Sequence, residues 1–107
     1  MFTFSGWEAV MSARVATFRI TPGTLDALRQ RYYTECAPLV KAADGSIDCL
    51  VLEPVDEQDP VAVCTVWRTE ADAAAYEAGG SATEVAGRVR EFFLGPPDLH
   101  SYRIQQR

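Results

Sequence analysis

The sequence predicts one α+β domain whose strands and helices follow the order β-α-β-β-α-β. Short segments rich in apolar and β-branched residues alternate with longer segments whose apolar residues recur every three or four positions. Two of the strand segments follow each other directly, across a polar connection bounded by prolines. The length of 107 residues fits a single domain. We therefore expect a four-stranded antiparallel sheet with helices on one face.

The domain is predicted to span residues 13–107, after an N-terminal extension over residues 1–12. This extension could be disordered, could lie on a partner subunit, or could reflect a later start at Met11. Residues 14–20 alternate in polarity and carry β-branched side chains, which predicts the first strand.

The first helix is predicted to start after Thr21, which can cap it, with Pro22 at its first position. Apolar or semi-apolar residues recur at helical spacing over residues 25–43, which is typical of an amphipathic helix. Pro38 interrupts this pattern and should kink the helix or end its first part. Gly45 is a natural stop.

Three further strands are predicted. Residues 46–53 and 61–67 are joined by a short surface turn, so they should form an antiparallel hairpin. Residues 99–105 form the last, short strand after a Gly-Pro-Pro stop.

The second helical region is expected in two pieces, residues 70–78 and 82–94, because Gly79-Gly80 interrupts it. Thr69 begins a sequence that resembles a capping box, with Asp in place of Glu. Ser81 begins a capping box proper, so each piece has its own predicted start.

The third strand lacks the alternation of polarity that a half-solvated strand shows. Residues 61–66 are apolar in both registers, as expected for a strand that is buried on both faces. Two crossover helices of about 10 Å diameter cover only one face of such a sheet. We therefore expect a homodimer that packs through the open sheet face. The alternative is that the N-terminal extension folds over this face.

The charge, hydropathy and cysteine content of the chain indicate which binding partners and which cellular compartment to expect. A formal net charge of -5, without a basic run, argues against binding to nucleic acid. No apolar run reaches the length of about 20 residues that a membrane span requires, and the N-terminus lacks the positive start of a signal peptide. The cysteines, without C-x-x-C spacing, indicate buried free thiols in a reducing compartment. We expect a cytoplasmic protein without membrane contact.

Several short sequence motifs, taken together with the order of the strands and helices, are typical of one protein family. They are Thr21-Pro22-Gly23 at the first helix, Pro38 late in it, Gly45 before the second strand, and the segment from Val66-Trp67 through Thr69 and an alanine-rich turn to Tyr76. Over about residues 13–105, the sequence resembles the antibiotic-biosynthesis monooxygenase family. The resemblance implies a ferredoxin-like subunit that forms a dimeric α+β barrel. It also implies a cofactor-independent monooxygenase that acts on an anthrone- or quinol-type aromatic substrate.

Two positions depart from the pattern of many quinol-oxidising relatives. Those relatives carry Glu two residues before the Trp, where this chain has Thr65, and often His where this chain has Tyr76. A second histidine, expected near Ser81, is also missing. The haem-degrading branch resembles this chain less, because it needs an iron-binding histidine in this helix.

Oxygenation without a cofactor requires an apolar pocket, an acceptor for the acidic proton of the substrate and donors for the oxyanion. The sequence contains no G-x-G-x-x-G motif and no cluster typical of metal ligands, so we expect neither cofactor nor metal. The candidate catalytic residues are Trp67, Tyr76 and His100. Trp67 could instead pack in the core, Tyr76 could be a partly exposed helix residue, and the facing of His100 is undecided.

The candidate substrate-binding residues are Tyr32, Arg88, Phe92 and Tyr102. Only one of Tyr32 and its neighbour Tyr33 should face inward, since adjacent helix positions are about 100° apart. Arg88 could steady an oxyanion or lie solvated on the helix surface. Tyr102 must share a strand face with His100.

Two other functions remain open. One is a non-catalytic dimeric domain that binds a small apolar ligand or is structural, with Phe92, Phe93 and Tyr32 filling the pocket. The other is isomerisation or cyclisation of a similar substrate on the same fold.

Overall fold

A computed structural model describes residues 10–105, and the predicted extension therefore lies largely outside the described residues. The strands are β1 (Ser12–Phe18), β2 (Ser46–Leu52), β3 (Val61–Trp67) and β4 (Asp98–Arg103). They form one sheet of four strands in the order β2-β3-β1-β4, and every neighbouring pair is antiparallel. The predicted α+β, ferredoxin-like βαββαβ fold is confirmed.

The first helical region is continuous through Pro38, but its geometry changes just before this residue. It consists of α1 (Leu25–Arg31), a π-helical segment (Tyr32–Cys36) and α2 (Ala37–Lys41). Pro38 lies in the first turn of α2 and has no N–H to donate to the preceding turn. The widened π-turn accommodates this missing hydrogen bond, so the helix continues instead of ending.

The start of this helix differs from the expectation. Thr21 does not cap it: the helix begins at Leu25, and the Thr24 hydroxyl donates to the Thr21 carbonyl oxygen at 2.6 Å. Gly23 has a φ of 81°, a left-handed conformation that glycine adopts without strain. The intervening residues therefore form a turn.

The second helical region is divided as predicted, into α3 (Glu70–Ala78) and α4 (Gly80–Val89), followed by a 3₁₀ turn (Arg90–Phe92). The Thr69 hydroxyl caps α3, because it accepts the backbone N–H of Asp72 at 3.1 Å. The predicted capping box at Ser81 does not form. Gly79 adopts the N-cap position, so Ser81 already lies inside the first turn of α4.

The two faces of the sheet have different surroundings. Phe18, Val61, Thr65 and Trp67 are buried on the face that the helices cover, together with Leu28 and Val40 of the helices. Alternate residues point the other way. Leu50, Leu52 and Tyr102 on that open face are 39%, 44% and 55% exposed. The described chain therefore presents one apolar sheet face that its own helices leave uncovered.

No helix within residues 10–105 is long and apolar enough to cross a lipid bilayer.

Candidate active site

A cavity of about 340 Å³ lies between the covered sheet face and α4. Side chains of β1 and β3 form its floor, and α4 forms its roof. Phe93, Pro97 and Leu99 contribute at the side where the chain returns to the sheet. Most of the remaining wall is apolar, including Phe18, Val63, Val85 and Val89. A volume of this size with apolar walls suits a small aromatic ligand.

Residues with polar or charged side chains also line the cavity, namely Arg14, Tyr32, Thr65, Tyr76, Glu77, Thr83 and Arg90. Arg14 and Thr65 are directly opposed on β1 and β3, with both side chains on the covered face. The Arg14 guanidinium forms an ion pair with Glu77, with 2.5 Å between Nη2 and Oε1. The Arg14 side chain is only 12% exposed, whereas that of Glu77 is 43% exposed. The largely apolar wall thus holds one ion pair, Arg14–Glu77, together with a second guanidinium group from Arg90.

Trp67 lies beside this region but does not line the cavity. It is 0% exposed, its ring centroid is 4.8 Å from that of Tyr76, and its indole Nε1 donates to Thr65 Oγ1 at 2.9 Å. The Trp67 indole N–H that was predicted to serve a substrate is bonded to Thr65 in this structure, so we do not include it among the proposed substrate donors. Its role in the structure is to hold Thr65 and Tyr76 in place.

Tyr76 does line the cavity, as expected, and it is 8% exposed. Burial raises the pKa of Tyr76 to about 12, although the nearby positive charge of Arg14 acts in the opposite direction. At neutral pH the hydroxyl is therefore protonated, and it can donate a hydrogen bond but cannot serve as a base.

Tyr32 also lines the cavity and is 1% exposed, while Tyr33 is 40% exposed. This difference confirms the expectation that only one of the two faces inward. Burial raises the pKa of Tyr32 above its ordinary range, with smaller contributions from Cys49 and Tyr76. The Tyr33 hydroxyl instead accepts the backbone N–H of Val51 at 2.9 Å, on the edge strand β2.

His100 and Tyr102 lie away from the cavity. Their residues pair with Val15 and Ala13 of β1, whereas Leu99 pairs with Ala16 and lines the cavity. Side chains alternate along a strand, so His100 and Tyr102 point to the open face. They do share one face, as predicted, with 6.5 Å between ring centroids. The structure does not bring His100 or Tyr102 together with Tyr76.

Arg88 and Phe92 are likewise absent from the cavity wall. Arg88 is 40% exposed and bonds to Glu84 at 2.8 Å and to Glu35 at 3.1 Å, which connects α4 to the π-helical segment. Phe92 is buried, with the Arg31 guanidinium 4.9 Å from the centre of its ring. Phe93, its neighbour, lines the cavity instead. Neither residue is therefore part of the site proposed below.

Sequence reasoning missed Arg14 and Glu77 as site residues, and treated Thr65 only as a departure from relatives. One usable signal was present for Arg14. It alternates with Ala16 and Phe18 along β1, so it had to share their buried face. An arginine on the buried face of a central strand requires a partner.

Within the part of the chain that the structure describes, no group of three or more His, Cys, Asp or Glu residues is arranged to hold a metal ion. The side chains of the cavity wall offer one carboxylate, hydroxyl groups and guanidinium groups.

The sequence model of the antibiotic biosynthesis monooxygenase family matches residues 11–87. This span contains β1 to β3, α1 to α3, most of α4 and most of the polar wall of the cavity. The chain therefore belongs to this family. A comparison with curated proteins gave no match.

Solved structures share the fold at low sequence identity. A candidate antibiotic biosynthesis monooxygenase from Bordetella bronchiseptica is 18% identical with a TM-score of 0.76, over 91% of this chain and 99% of that one. A protein with the same description from Caulobacter crescentus is 14% identical with a TM-score of 0.74, over 94% of both chains. Rv0793 from Mycobacterium tuberculosis is 18% identical with a TM-score of 0.68, over 91% and 97%. These structural similarities support the ferredoxin-like fold of this chain.

The raised pKa of Tyr76 predicts a specific loss of stability at alkaline pH. The unfolded tyrosine ionises near pH 10 and the folded one near 12, so its contribution to the free energy of unfolding is complete below about pH 10 and disappears through about pH 12. Between about pH 9 and 11, this residue should account for a loss of about 1 kcal/mol.

Urea unfolding of the wild type and Tyr76→Phe across this range measures the effect. The difference between the two free energies of unfolding at about pH 7 serves as the internal reference. As the pH rises, the wild type should lose stability relative to Tyr76→Phe. A difference that stays constant with pH would contradict this assignment.

Proposed function

We propose that this protein is a cofactor-independent monooxygenase that oxidises an anthrone- or quinol-type aromatic substrate in the cavity between α4 and the sheet. The observation that carries the proposal is a largely apolar cavity of about 340 Å³ with the Arg14–Glu77 ion pair in its wall, in a chain of the antibiotic biosynthesis monooxygenase family. Its size and apolar wall suit a fused aromatic ring system. Its polar groups suit the removal of a proton next to a carbonyl.

The proposed reaction balances without an added reductant. An anthrone loses a proton from its methylene carbon, and the resulting electron-rich anion reduces O₂. One oxygen atom becomes the new carbonyl oxygen, and the other leaves as water with the two methylene hydrogens. All four electrons come from the substrate, so neither a flavin nor a nicotinamide is required.

Glu77 is the proposed proton acceptor, because among residues 10–105 it is the only one that brings a carboxylate to the cavity wall. His100, the base that the sequence offered, lies on the other sheet face. Tyr32 and Tyr76 have raised pKa values and stay protonated at neutral pH. Proton transfer to a positioned carboxylate is an ordinary form of general base catalysis.

Thr65 and Tyr76 are the proposed donors to the substrate oxygen. Thr65 Oγ1 accepts the indole N–H of Trp67, so its own hydrogen remains available for a ligand. The Tyr76 hydroxyl is a neutral donor. Donors fixed in an apolar cavity stabilise a developing oxyanion more than the same groups do in water.

The alternative is a non-catalytic dimeric domain that binds a small aromatic ligand in the same cavity. It is favoured by one observation, that Thr65 stands where many quinol-oxidising relatives carry Glu. Binding without oxygen uptake would support this alternative.

We also propose that the protein acts as a homodimer that buries the open sheet face. Leu50, Leu52 and Tyr102 leave apolar surface on that face, and a twofold dimer covers it with an identical surface. The free thiols of Cys36, Cys49 and Cys64 suit a reducing compartment, and we propose the cytoplasm.

Oxygen consumption with a panel of anthrones and hydroquinones, without added cofactor, tests the proposed reaction. We expect uptake well above the uncatalysed rate. Glu77→Gln should lower kcat by about 10²-fold or more, because the acceptor of the proton is lost. Tyr76→Phe should lower kcat less.

Glu84→Gln is the matched control, since Glu84 lies on α4 outside the cavity wall and pairs with Arg88. Its activity should equal that of the wild type. Full activity in Glu77→Gln would contradict the proposed proton acceptor, and no uptake with any substrate would contradict the proposed reaction.

Leu50→Lys tests the homodimer by placing a charge on the open sheet face. The wild type should sediment as a dimer and the variant as a monomer, because the buried ammonium group would lack a partner. Val55→Lys is the control, since Val55 is fully exposed in a loop, and it should remain dimeric. A monomeric wild type, or a dimeric Leu50→Lys, would contradict this interface.

A further inference from the structure

We propose that Arg14 and Glu77 form a charge-exchange pair, which selects aromatic substrates whose conjugate base carries its negative charge on oxygen. The proton leaves the substrate for the Glu77 carboxylate, and the Arg14 guanidinium then pairs with the substrate oxyanion. This inference rests on the proposed function because it uses the same cavity. It names the class of ligand: phenols, enolisable aryl ketones and, as inhibitors, aromatic carboxylates.

The position of Arg14 in the sheet is the first observation. It lies in the middle of β1, opposite Thr65 and Ser101 on the neighbouring strands, and on the same face as Ala16 and Phe18. Its Nε is buried without a hydrogen-bond partner in the described chain, although Nη2 contacts Glu77. A buried cation with unsatisfied donors is costly, and an acceptor oxygen in the cavity would satisfy them.

The position of Glu77 is the second observation. It occupies the last turn of α3, where the carbonyl end of the helix disfavours a negative charge. No basic residue lies in that turn, so the pairing with Arg14 comes from the sheet. Transfer of the substrate proton to the Glu77 carboxylate would release Arg14 to pair with another anion.

The charge balance of the cavity follows from these two positions. Before proton transfer, Arg14 is positive, Glu77 is negative and the substrate is neutral. After transfer, Arg14 is positive, Glu77 is neutral and the substrate is negative. The net charge of the cavity does not change, which limits the electrostatic cost in surroundings of low polarity.

The field of Arg14 already acts on an oxygen in the cavity wall. Its positive charge lowers the pKa of Tyr76, against the larger effect of burial. A substrate oxygen in the cavity would experience the same stabilisation of its anionic form. Thr65, directly opposite Arg14, would add a hydrogen bond, with Trp67 as the positioning residue that orients its hydroxyl.

Isothermal titration calorimetry with 2-naphthoate and its neutral analogue 2-naphthamide tests the proposal without turnover. Removing the competing charge in Glu77→Gln should raise the affinity for 2-naphthoate at least about tenfold, since Arg14 is then unpaired. Arg14→Met should lower it by a similar factor. Neither variant should change the affinity for 2-naphthamide comparably.

Arg90→Met is the matched control, because Arg90 also lines the cavity but has no ion-pair partner among the described residues. Its affinity for 2-naphthoate should fall less than that of Arg14→Met. The proposal is overturned if Glu77→Gln fails to strengthen naphthoate binding, or if Arg90→Met removes that binding instead of Arg14→Met. Glu77→Gln is nearly isosteric and partly exposed, so it keeps the test available even if Arg14→Met fails to fold.

The outcome separates this proposal from the proposed reaction. If the affinity for 2-naphthoate rises in Glu77→Gln and falls in Arg14→Met, but no oxygen is consumed, the charge-exchange pair is supported and the monooxygenase is rejected. If oxygen is consumed but neither variant changes the affinity for 2-naphthoate, the monooxygenase is supported and the charge-exchange pair is rejected.

Discussion

The indole of Trp67 is the contact on which the candidate site depends. It lies at the end of β3, is completely buried, stacks against Tyr76 of α3 and donates to Thr65 of its own strand. One rigid side chain therefore fixes a hydroxyl from the sheet and a ring from the helix. Because the Thr65 oxygen accepts the indole N–H, the single hydroxyl hydrogen of Thr65 remains available as a donor. The polar region of the cavity is thereby preorganised.

The rest of the cavity combines this rigid region with a more weakly attached roof. α4 begins at a glycine without a side-chain cap. The Arg88–Glu35 ion pair and a hydrogen bond from the Arg31 guanidinium to the Arg88 carbonyl oxygen connect it to the first helical region. Such exposed ion pairs contribute little to stability. The wall beneath α4 is largely apolar, while the Arg14–Glu77 pair places two opposite charges at its edge. That combination suits proton removal followed by stabilisation of an anion.

Local patterns in the sequence predicted most of the fold. The order of elements, the break at Gly79 and the cap at Thr69 all depend on residues close in the chain. The effect of Pro38 was predicted only in part. Proline lacks the N–H of one helical hydrogen bond, and a kink, the end of the helix or a π-turn can each accommodate that loss. Thr21 and Ser81 were assigned caps because they are good capping residues, but turn geometry and a glycine N-cap displaced them.

The candidate site was less predictable, because it depends on register and on contacts between distant residues. Alternation shows that His100 and Tyr102 share a face, but only pairing with β1 decides which face that is. An indole N–H can serve a substrate or a neighbour, and the sequence does not distinguish Thr65 from a ligand as its acceptor. Arg14 and Glu77 are far apart in the chain, so their pairing follows only from the packing of α3 on the sheet.

A crystal structure of the protein with anthrone, grown and frozen without oxygen, tests the central claim most directly. Without O₂ the substrate cannot be oxidised and should remain bound. The account predicts the rings between α4 and the sheet, with the carbonyl oxygen within hydrogen-bond distance of Arg14 or Thr65. Anthrone bound on the open face beside His100 and Tyr102, with the cavity empty, would contradict it.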